Sequence, residues 1–327
     1  MRKKMKNDSF ETIGKVLNDA KSILVFTHQN ADGDAVGATA ALTRVLRQRG
    51  KDCYILFDDD EIAENLRFMD RGYSSDDEEI IRDPDVTICI DAAELKRFPK
   101  RKEKFLQGKV KICIDHHMVD ETICDYNHID SGAAAAGELI YKLFQAMEAE
   151  IDKETAEALF AAITTDTGNF QYSNTTKESH MIVTDLYDLN MDAAAVSRNI
   201  YESVRPEKMR LQSMVKDQLE LFADGQLAVA IVRQDQLKAC NAVMSDSEGI
   251  VGDLRSIKGV EIAVLIKEDS DNKCFVSFRS KTEADVAEIA AQFDGGGHKR
   301  AAGCTIYSGA EDVYQMVKQA VLDYLKA

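Results

Sequence analysis

The feature that most constrains this chain is a set of short, almost uninterrupted apolar runs: SILVF at 22–26, CYILF at 53–57, VTICI at 86–90 and VKICI at 110–114. A strand with one wet face alternates apolar and polar residues, whereas a continuous run is what a strand covered on both faces requires. Between the runs lie stretches of helical texture, among them an amphipathic segment from Phe10 to Asp19 and an Ala-rich segment from Gly33 to Gln48. The alternation predicts an α/β fold built on a doubly wound parallel sheet. Residues 131–199 read as helices, including GELIYKLFQAM and ETAEALFAAITTD, and the charged stretch PEKMRLQSMVKDQLELF reads as a helical linker. Beyond it the texture changes to QLAVAIV, VEIAVLI and KCFVSFRS, then DVAEIAAQF, a glycine cluster, CTIYS and a final helix. This predicts a second, smaller α/β domain, and 327 residues suit two domains. The expected boundaries are 1–195, a linker at 196–222, and 223–327.

Charge narrows the partners. The formal net charge is −16, with most of the acidity ahead of Arg210. An acidic chain lacks the positive field with which proteins hold long duplex nucleic acid or anionic membranes. The opening MRKKMK is followed by NDSFETIGK and not by an apolar stretch, so no export signal is expected, and no run approaches the length of a membrane span. Seven cysteines are scattered without a C-x-x-C pair, which argues for a reducing compartment and a cytoplasmic protein. The sequence is compatible with a homodimer but does not specify an oligomeric state.

Chemistry gathers where the apolar runs stop. The first leads into THQNADGD, with His28, Asp32 and Asp34; VTICI ends in Asp91; VKICI ends in Asp115, His116 and His117. Two Asp flanking a Gly are, taken alone, more often a turn. Three strands delivering carboxylates or imidazoles to one rim are harder to read as coincidence, because ligands of parallel sheets bind at the carboxyl ends of the strands. Asp166, in TTDTGNF, ends a helical run, where a carboxylate gains nothing from the helix dipole and invites a cation. The set His28, Asp32, Asp34, Asp91, His116 and Asp166 offers oxygen and nitrogen without thiolate, which suits Mn²⁺ best, with Mg²⁺ or Co²⁺ as alternatives. Six ligands exceed the needs of one ion with open positions. Two ions sharing a carboxylate, roughly 3.5–4 Å apart, are suited to hydrolysing phosphoesters. In the second domain, Gly295, Gly296 and Gly297 permit positive φ and close backbone approach, so that their N–H groups could cradle phosphate. His298, Lys299 and Arg300 follow directly, and Arg279 in SFRS could fork onto a phosphate.

HQNADGDAVG, the lone Asp of ICIDAAE, IDHH and TDTGNF resemble, in order, the four motifs of the DHH phosphoesterases, and FDGGGHKRAAG resembles the GGGH signature of the DHHA1 substrate-binding domain. Length and layout are most similar to the NrnA-like branch of bifunctional oligoribonucleases and pAp phosphatases. RecJ-type nucleases carry extra domains, and type II pyrophosphatases a different second domain. The resemblance implies one Mn²⁺ on His28, Asp32 and bridging Asp91, and another on Asp34, Asp91, His116 and Asp166. It implies further that Asp115 orients a ligand and that His117 contacts the scissile phosphate or protonates the leaving oxygen. Arg279, the glycines, His298 and Lys299 would bind substrate. The expected substrates are short RNA oligonucleotides, linear dinucleotides such as pApA and pGpG, and 3′-phosphoadenosine 5′-phosphate (pAp). Cyclic di-AMP cleavage as the main duty, and a nucleotide-sensing module without turnover, are the rival readings.

Overall fold

A computed structural model describes residues 3–4, 6–119, 121–269 and 272–326, the side chains of Lys3, Lys4, Glu121 and His298 lying outside that description. The chain forms two compact units, Met1–Ser203 and Val204–Ala327.

The first unit holds a five-stranded parallel sheet in the order Asp52–Ile55, Ser22–Phe26, Val86–Ile90, Val110–Asp115, Tyr126–Ile129. Three of the apolar runs, SILVF, VTICI and VKICI, are central and covered on both faces, while CYILF supplies the edge strand Asp52–Ile55. Ile23, Val25, Ile88, Ile90, Ile112 and Ile114 enter one core, while Leu24, Phe26, Cys89 and Cys113 enter another on the opposite side. The fifth strand, Tyr126–Ile129, was not foreseen. Its sequence, YNHI, is polar because it lies at the sheet edge, where Asn7 and Asp8 side chains accept from the backbone N–H groups of Ile129 and Asn127.

The chain runs outward from Ser22–Phe26 to Asp52–Ile55 and then returns to the other side of Ser22–Phe26 to form Val86–Ile90. Crossovers therefore leave in opposite directions from this pair, opening a crevice at their carboxyl ends. Two helices bring further groups to the same region. Helix Gly33–Gln48 packs on helix Lys153–Asp166 so closely that a Cβ on Gly37 would lie 2.5 Å from the Ala158 carbonyl oxygen. Where these helices meet near the crevice, a Cβ on Gly33 would lie 2.4 Å from Thr165 Cγ2. The glycine of NADGD is thus a requirement of helix packing beside Asp166.

The second unit has a six-stranded mixed sheet in the order Gly296–His298, Ala301–Ile306, Cys274–Ser280, Ile262–Glu268, Leu227–Val232, Glu220–Phe222. Helix Pro206–Asp217, read from sequence within the linker, buries Leu211 and Val215 in this unit, while Ala193–Tyr201 lies in the first. The end of the same stretch, Glu220–Phe222, is an edge strand and not helix, with Leu221 half exposed. One face of the sheet packs under helices Val286–Ala291 and Ala310–Lys326. The other packs under Pro206–Asp217, Gln234–Cys240 and Ile250–Ser256, but the buried strand residues there come only from Leu227–Val232 and Ile262–Glu268. Phe275, Ser277 and Arg279 of the next strand stay at least partly open.

Candidate active site

The crevice of the first unit collects every chemical residue that its sequence motifs nominate. Asp91 follows its strand directly, in a left-handed conformation with φ of +58°, and is 2% exposed. A non-glycine residue in that region costs on the order of 1 kcal/mol, and the turn is held by the bond from the Asp91 N–H to the Ile114 carbonyl oxygen (3.0 Å). The turn presents the two carboxylate oxygens to two histidines. Asp91 Oδ2 lies 3.2 Å from His28 Nε2, and Oδ1 lies 3.3 Å from His116 Nε2. Each ring is oriented from behind, His28 Nδ1 by the Gln29 carbonyl at 2.9 Å and His116 Nδ1 by the Ala133 carbonyl at 3.3 Å. That pattern leaves Nε2 as the lone-pair atom of the neutral imidazole in both cases.

Besides the group Asp91, Asp115, His116 and His117, two further donor sets result among the described residues, and Asp91 reaches both, through His28 in one and His116 in the other. His28, Asp32 and Asp91 form one, with Asp32 Oδ1 3.8 Å from His28 Nε2. Asp34, His116 and Asp166 form the other, their carboxylates 3.8 and 3.6 Å from His116 Nε2. The half-exposed Asp32 caps helix Gly33–Gln48 by accepting from the Asp34 and Ala35 N–H groups. Asp34 is fully buried and accepts from the N–H groups of Ala136 (2.6 Å) and Gly137 (2.9 Å), at the start of helix Ala136–Ala146. Helix N-termini favour carboxylates, so Asp34 is fixed with its oxygens shared between the helix and the cluster. Asp115 accepts from the N–H of Ala93 (2.6 Å) and from His117 Nδ1 (2.8 Å), and His117 Nδ1 also lies 3.1 Å from Asp91 Oδ1.

The electrostatics are those of crowded buried carboxylates. Burial disfavours ionised Asp34, and neighbouring Asp91 adds to it, so its pKa lies well above the ordinary value. Burial also raises Asp166, to about 6, against the opposing pull of His116. Burial alone would keep the imidazoles neutral, but Asp91 and Asp32 raise His28 to about 10, Asp91, Asp34 and Asp166 raise His116 to about 10, and Asp115 and Asp91 raise His117 to about 9. Burial of Asp91 is outweighed by the three histidines, which hold its carboxyl well below the usual range. Three buried atoms, His28 Nε2, His116 Nε2 and Asp91 Oδ1, still make no hydrogen bond. Unsatisfied buried polar atoms are costly and call for an explanation. Oxygen and imidazole donors gathered into two sets around a shared carboxylate fit divalent cations, and the absence of a thiolate disfavours structural zinc.

Sequence reasoning missed supporting residues. Asp59 accepts from the Asn30 (2.8 Å) and Ala31 (2.9 Å) N–H groups, holding the loop that carries His28 to Asp32. Asn174 donates to the Asp166 and Ala134 carbonyls at 3.1 Å each. Asp59 sits in the run FDDDE, which reads as solvated surface charge, and its partners lie 28 and 29 residues away.

In the second unit the glycine cluster is a hairpin: Gly296, Gly297 and His298 pair with Gly303, Ala302 and Ala301. Its three glycines differ. The Gly295 N–H donates to the Ala290 carbonyl (3.0 Å), so it is not available to cradle phosphate, and a Cβ there would lie 2.4 Å from the Gly303 oxygen. Gly297 has φ of +144° and would carry its Cβ 2.5 Å from the Ala301 oxygen, whereas Gly296 faces open space. Lys299 is exposed. Arg279 pairs in register with Ala301, which places it beside the hairpin, and its Nη1 donates to the Phe278 carbonyl. The side chain of His298 lies outside the described residues.

Residues 22–163 match the model of the DHH family N-terminal domain, and residues 224–327 that of the DHHA1 domain. The chain belongs to the DHH–DHHA1 family. Its relatives include the probable bifunctional oligoribonuclease and PAP phosphatase NrnA of Streptococcus mutans, 28% identical over 95% of this chain and 98% of that protein. The bifunctional oligoribonuclease and PAP phosphatase NrnA of Bacillus subtilis is 28% identical over 89% of this chain and 91% of its own length. An exopolyphosphatase-related protein from Bacteroides fragilis has a crystal structure that this DHH–DHHA1 chain matches with a TM-score of 0.91, at 26% identity and 96% coverage of both chains.

Proposed function

We propose that this protein is a phosphodiesterase and phosphomonoesterase that degrades short RNA oligonucleotides, linear dinucleotides such as pApA and pGpG, and pAp. The observation that carries the reading is the pair of ligand clusters sharing Asp91, with its unbonded buried atoms. His28, Asp32 and Asp91 would hold one divalent cation, and Asp34, Asp91, His116 and Asp166 the other, with Mn²⁺ preferred on the chemistry of the donors. Bound there, such cations supply Lewis acidity toward a phosphoryl group and a water of lowered pKa.

The chain's own residues do the rest. Asp34, fastened to a helix N-terminus, and Asp91, fastened in its turn, keep the two clusters from drifting as the substrate changes charge. His117, whose Nδ1 lies 2.8 Å from Asp115 and 3.1 Å from Asp91, would contact the scissile phosphate or give a proton to the leaving oxygen. Arg279, Gly296, Gly297, His298 and Lys299 would bind the nucleotide's remote phosphate or base, Gly295 acting through the packing of the hairpin. An acidic protein with one local basic patch holds a few phosphates and repels long polyanions, which supports a short substrate. Seven buried free cysteines and no described helix able to cross a membrane support a cytoplasmic location.

The test is a turnover panel with Mn²⁺: pAp, pApA, a pentaribonucleotide, cyclic di-AMP and pyrophosphate. The reading expects turnover of the first three and slower cleavage of the last two. Cyclic di-AMP as the best substrate would make its cleavage the main duty, and binding without turnover of any member would make the protein a sensor.

A further inference from the structure

On strand Cys274–Ser280, Cys274, Val276, Phe278 and Ser280 are buried, while Phe275, Ser277 and Arg279 lie on the other side of the sheet and stay at least partly open. The adjoining strand sets Thr305, Gly303 and Ala301 opposite them. Between Arg279 and Phe275 the surface is therefore a shelf of small residues, Ser277, Ala301 and Gly303. Four residues of strand span roughly 13 Å, farther than phosphate to base within one nucleotide. The shelf ends at a cavity of about 630 Å³ whose lining includes Phe275, Leu237, Lys238, Asn241, Val243, Met244 and Asp269. Phe275 is 38% exposed and Val243 51%. Lysines flank the cavity, one of them paired with the Asp269 that also lines it. Lys238 lines it, Lys267 is Phe275's partner in register, and the Lys273 ammonium lies over one face of the Phe275 ring, 5.3 Å from its centre, while pairing with Asp269 at 3.0 Å, so a base would use the other face. An aromatic ring with adjacent cations and an amide is the chemistry of base stacking on single-stranded nucleic acid, and it suits a peptide or lipid less well.

We infer that this cavity is a distal nucleotide site: a short RNA anchored by a phosphate on Arg279 runs along the shelf and stacks its second or third base on Phe275, with Lys238 beside the following phosphate. The inference rests on the assignment of Arg279 as the anchor. It makes the second unit a gauge of oligonucleotide length as well as a holder of one end.

The experiment compares pAp, pApA and tri- to pentaadenylate in two measurements on the full chain: Mn²⁺-dependent kcat/KM, and equilibrium binding in EDTA. Wild-type protein is expected to favour the trimer and longer over pAp, and Phe275→Ala to reduce that ratio by roughly 5- to 150-fold, the loss of one base–aromatic stack. Phe275→Tyr should restore it. An unchanged ratio in Phe275→Ala overturns the inference, as does a variant altered only in its sedimentation, which would make the face a contact between copies of the chain. If Arg279→Ala leaves every substrate untouched, the anchor assignment itself fails. If Arg279→Ala weakens them all and Phe275→Ala none, only the distal site does.

Discussion

The two units present chemistry in opposite ways. In the first, the sheet is covered on both faces and the reactive groups gather at the strand ends and the helix termini beside them, the central ones buried and fastened by backbone hydrogen bonds; Asp34 and Asp91 are 1% and 2% exposed. In the second, helices cover only part of one face, and the basic and aromatic residues lie along the open strand surface beside a hairpin. A buried end suits groups that must hold cations in fixed positions, because a dry, rigid surround strengthens their electrostatics. An open face suits a ligand that varies in length and base. The proposed division of labour rests on that difference, and it breaks if substitutions in the two units have the same consequences.

The largest expected effect is at Asp91, the residue common to both clusters. Asp91→Ala should lower Mn²⁺-dependent turnover by about a thousandfold or more on every substrate, as losing a transition-state charge stabiliser does. Asp32→Ala should do less, since it touches one cluster at an exposed position. Steady-state kinetics on pAp and on bis-p-nitrophenyl phosphate check both. Arg279→Ala should cost roughly 2–4 kcal/mol in kcat/KM on pAp and pApA, the range for a charged partner lost from a binding site. The small activated ester makes no remote contact, so its hydrolysis should be nearly unchanged. Equal loss on both substrates would erase the distinction between the units.

The pH dependence is the next sharpening. His28 and His116 titrate near 10 in the cation-free protein, so they contribute stability that is complete below their unfolded value of 6.5 and lost as pH rises through about 10. Asp166, raised to about 6, acts the other way: its ionised form costs stability, and the cost is felt above its unfolded value of 3.8 and complete above about 6. Asp166→Asn should therefore stabilise the EDTA-treated protein at pH 8 by about 1–3 kcal/mol, and by almost nothing at pH 3.5, in urea titrations. Because imidazoles must shed protons to act as ligands, Mn²⁺ affinity should rise between pH 6 and 9, with proton release visible by calorimetry in buffers of different ionisation enthalpy.

The smallest effects separate neighbouring glycines. Gly296→Ala faces open space and should change the melting temperature little, whereas Gly295→Ala drives a Cβ to within 2.4 Å of a backbone oxygen and should cost about 1–3 kcal/mol.

These contrasts also explain what could be read in advance. Continuous apolar runs ending in Asp91 and in Asp115 to His117 point to strand ends, because short runs of that kind suit strands covered on both faces, and the last residues of parallel strands face the crevice. The partners of those groups were not legible: Asp34 finds its donors at Ala136 and Gly137, 102 and 103 residues on, in a helix start that carries no polar cap. Tyr126–Ile129 escaped because an edge strand tolerates polar residues. Phe275 escaped because one apolar residue at an outward position of an alternating strand reads as ordinary, and only the tertiary arrangement brings Leu237, Lys238, Val243 and Met244 around it. The glycine cluster read as a phosphate cradle, but Gly295 is committed to packing, a distinction that three consecutive glycines cannot express.

The central claim is that Asp91 joins two cation sites at the strand ends. Anomalous diffraction at the manganese edge from crystals grown with Mn²⁺ tests it most directly. The account predicts two peaks about 3.5–4 Å apart, one beside His28 and Asp32, the other beside Asp34, His116 and Asp166, with an Asp91 oxygen in contact with each. A single peak, or two peaks that both avoid Asp91, would contradict it.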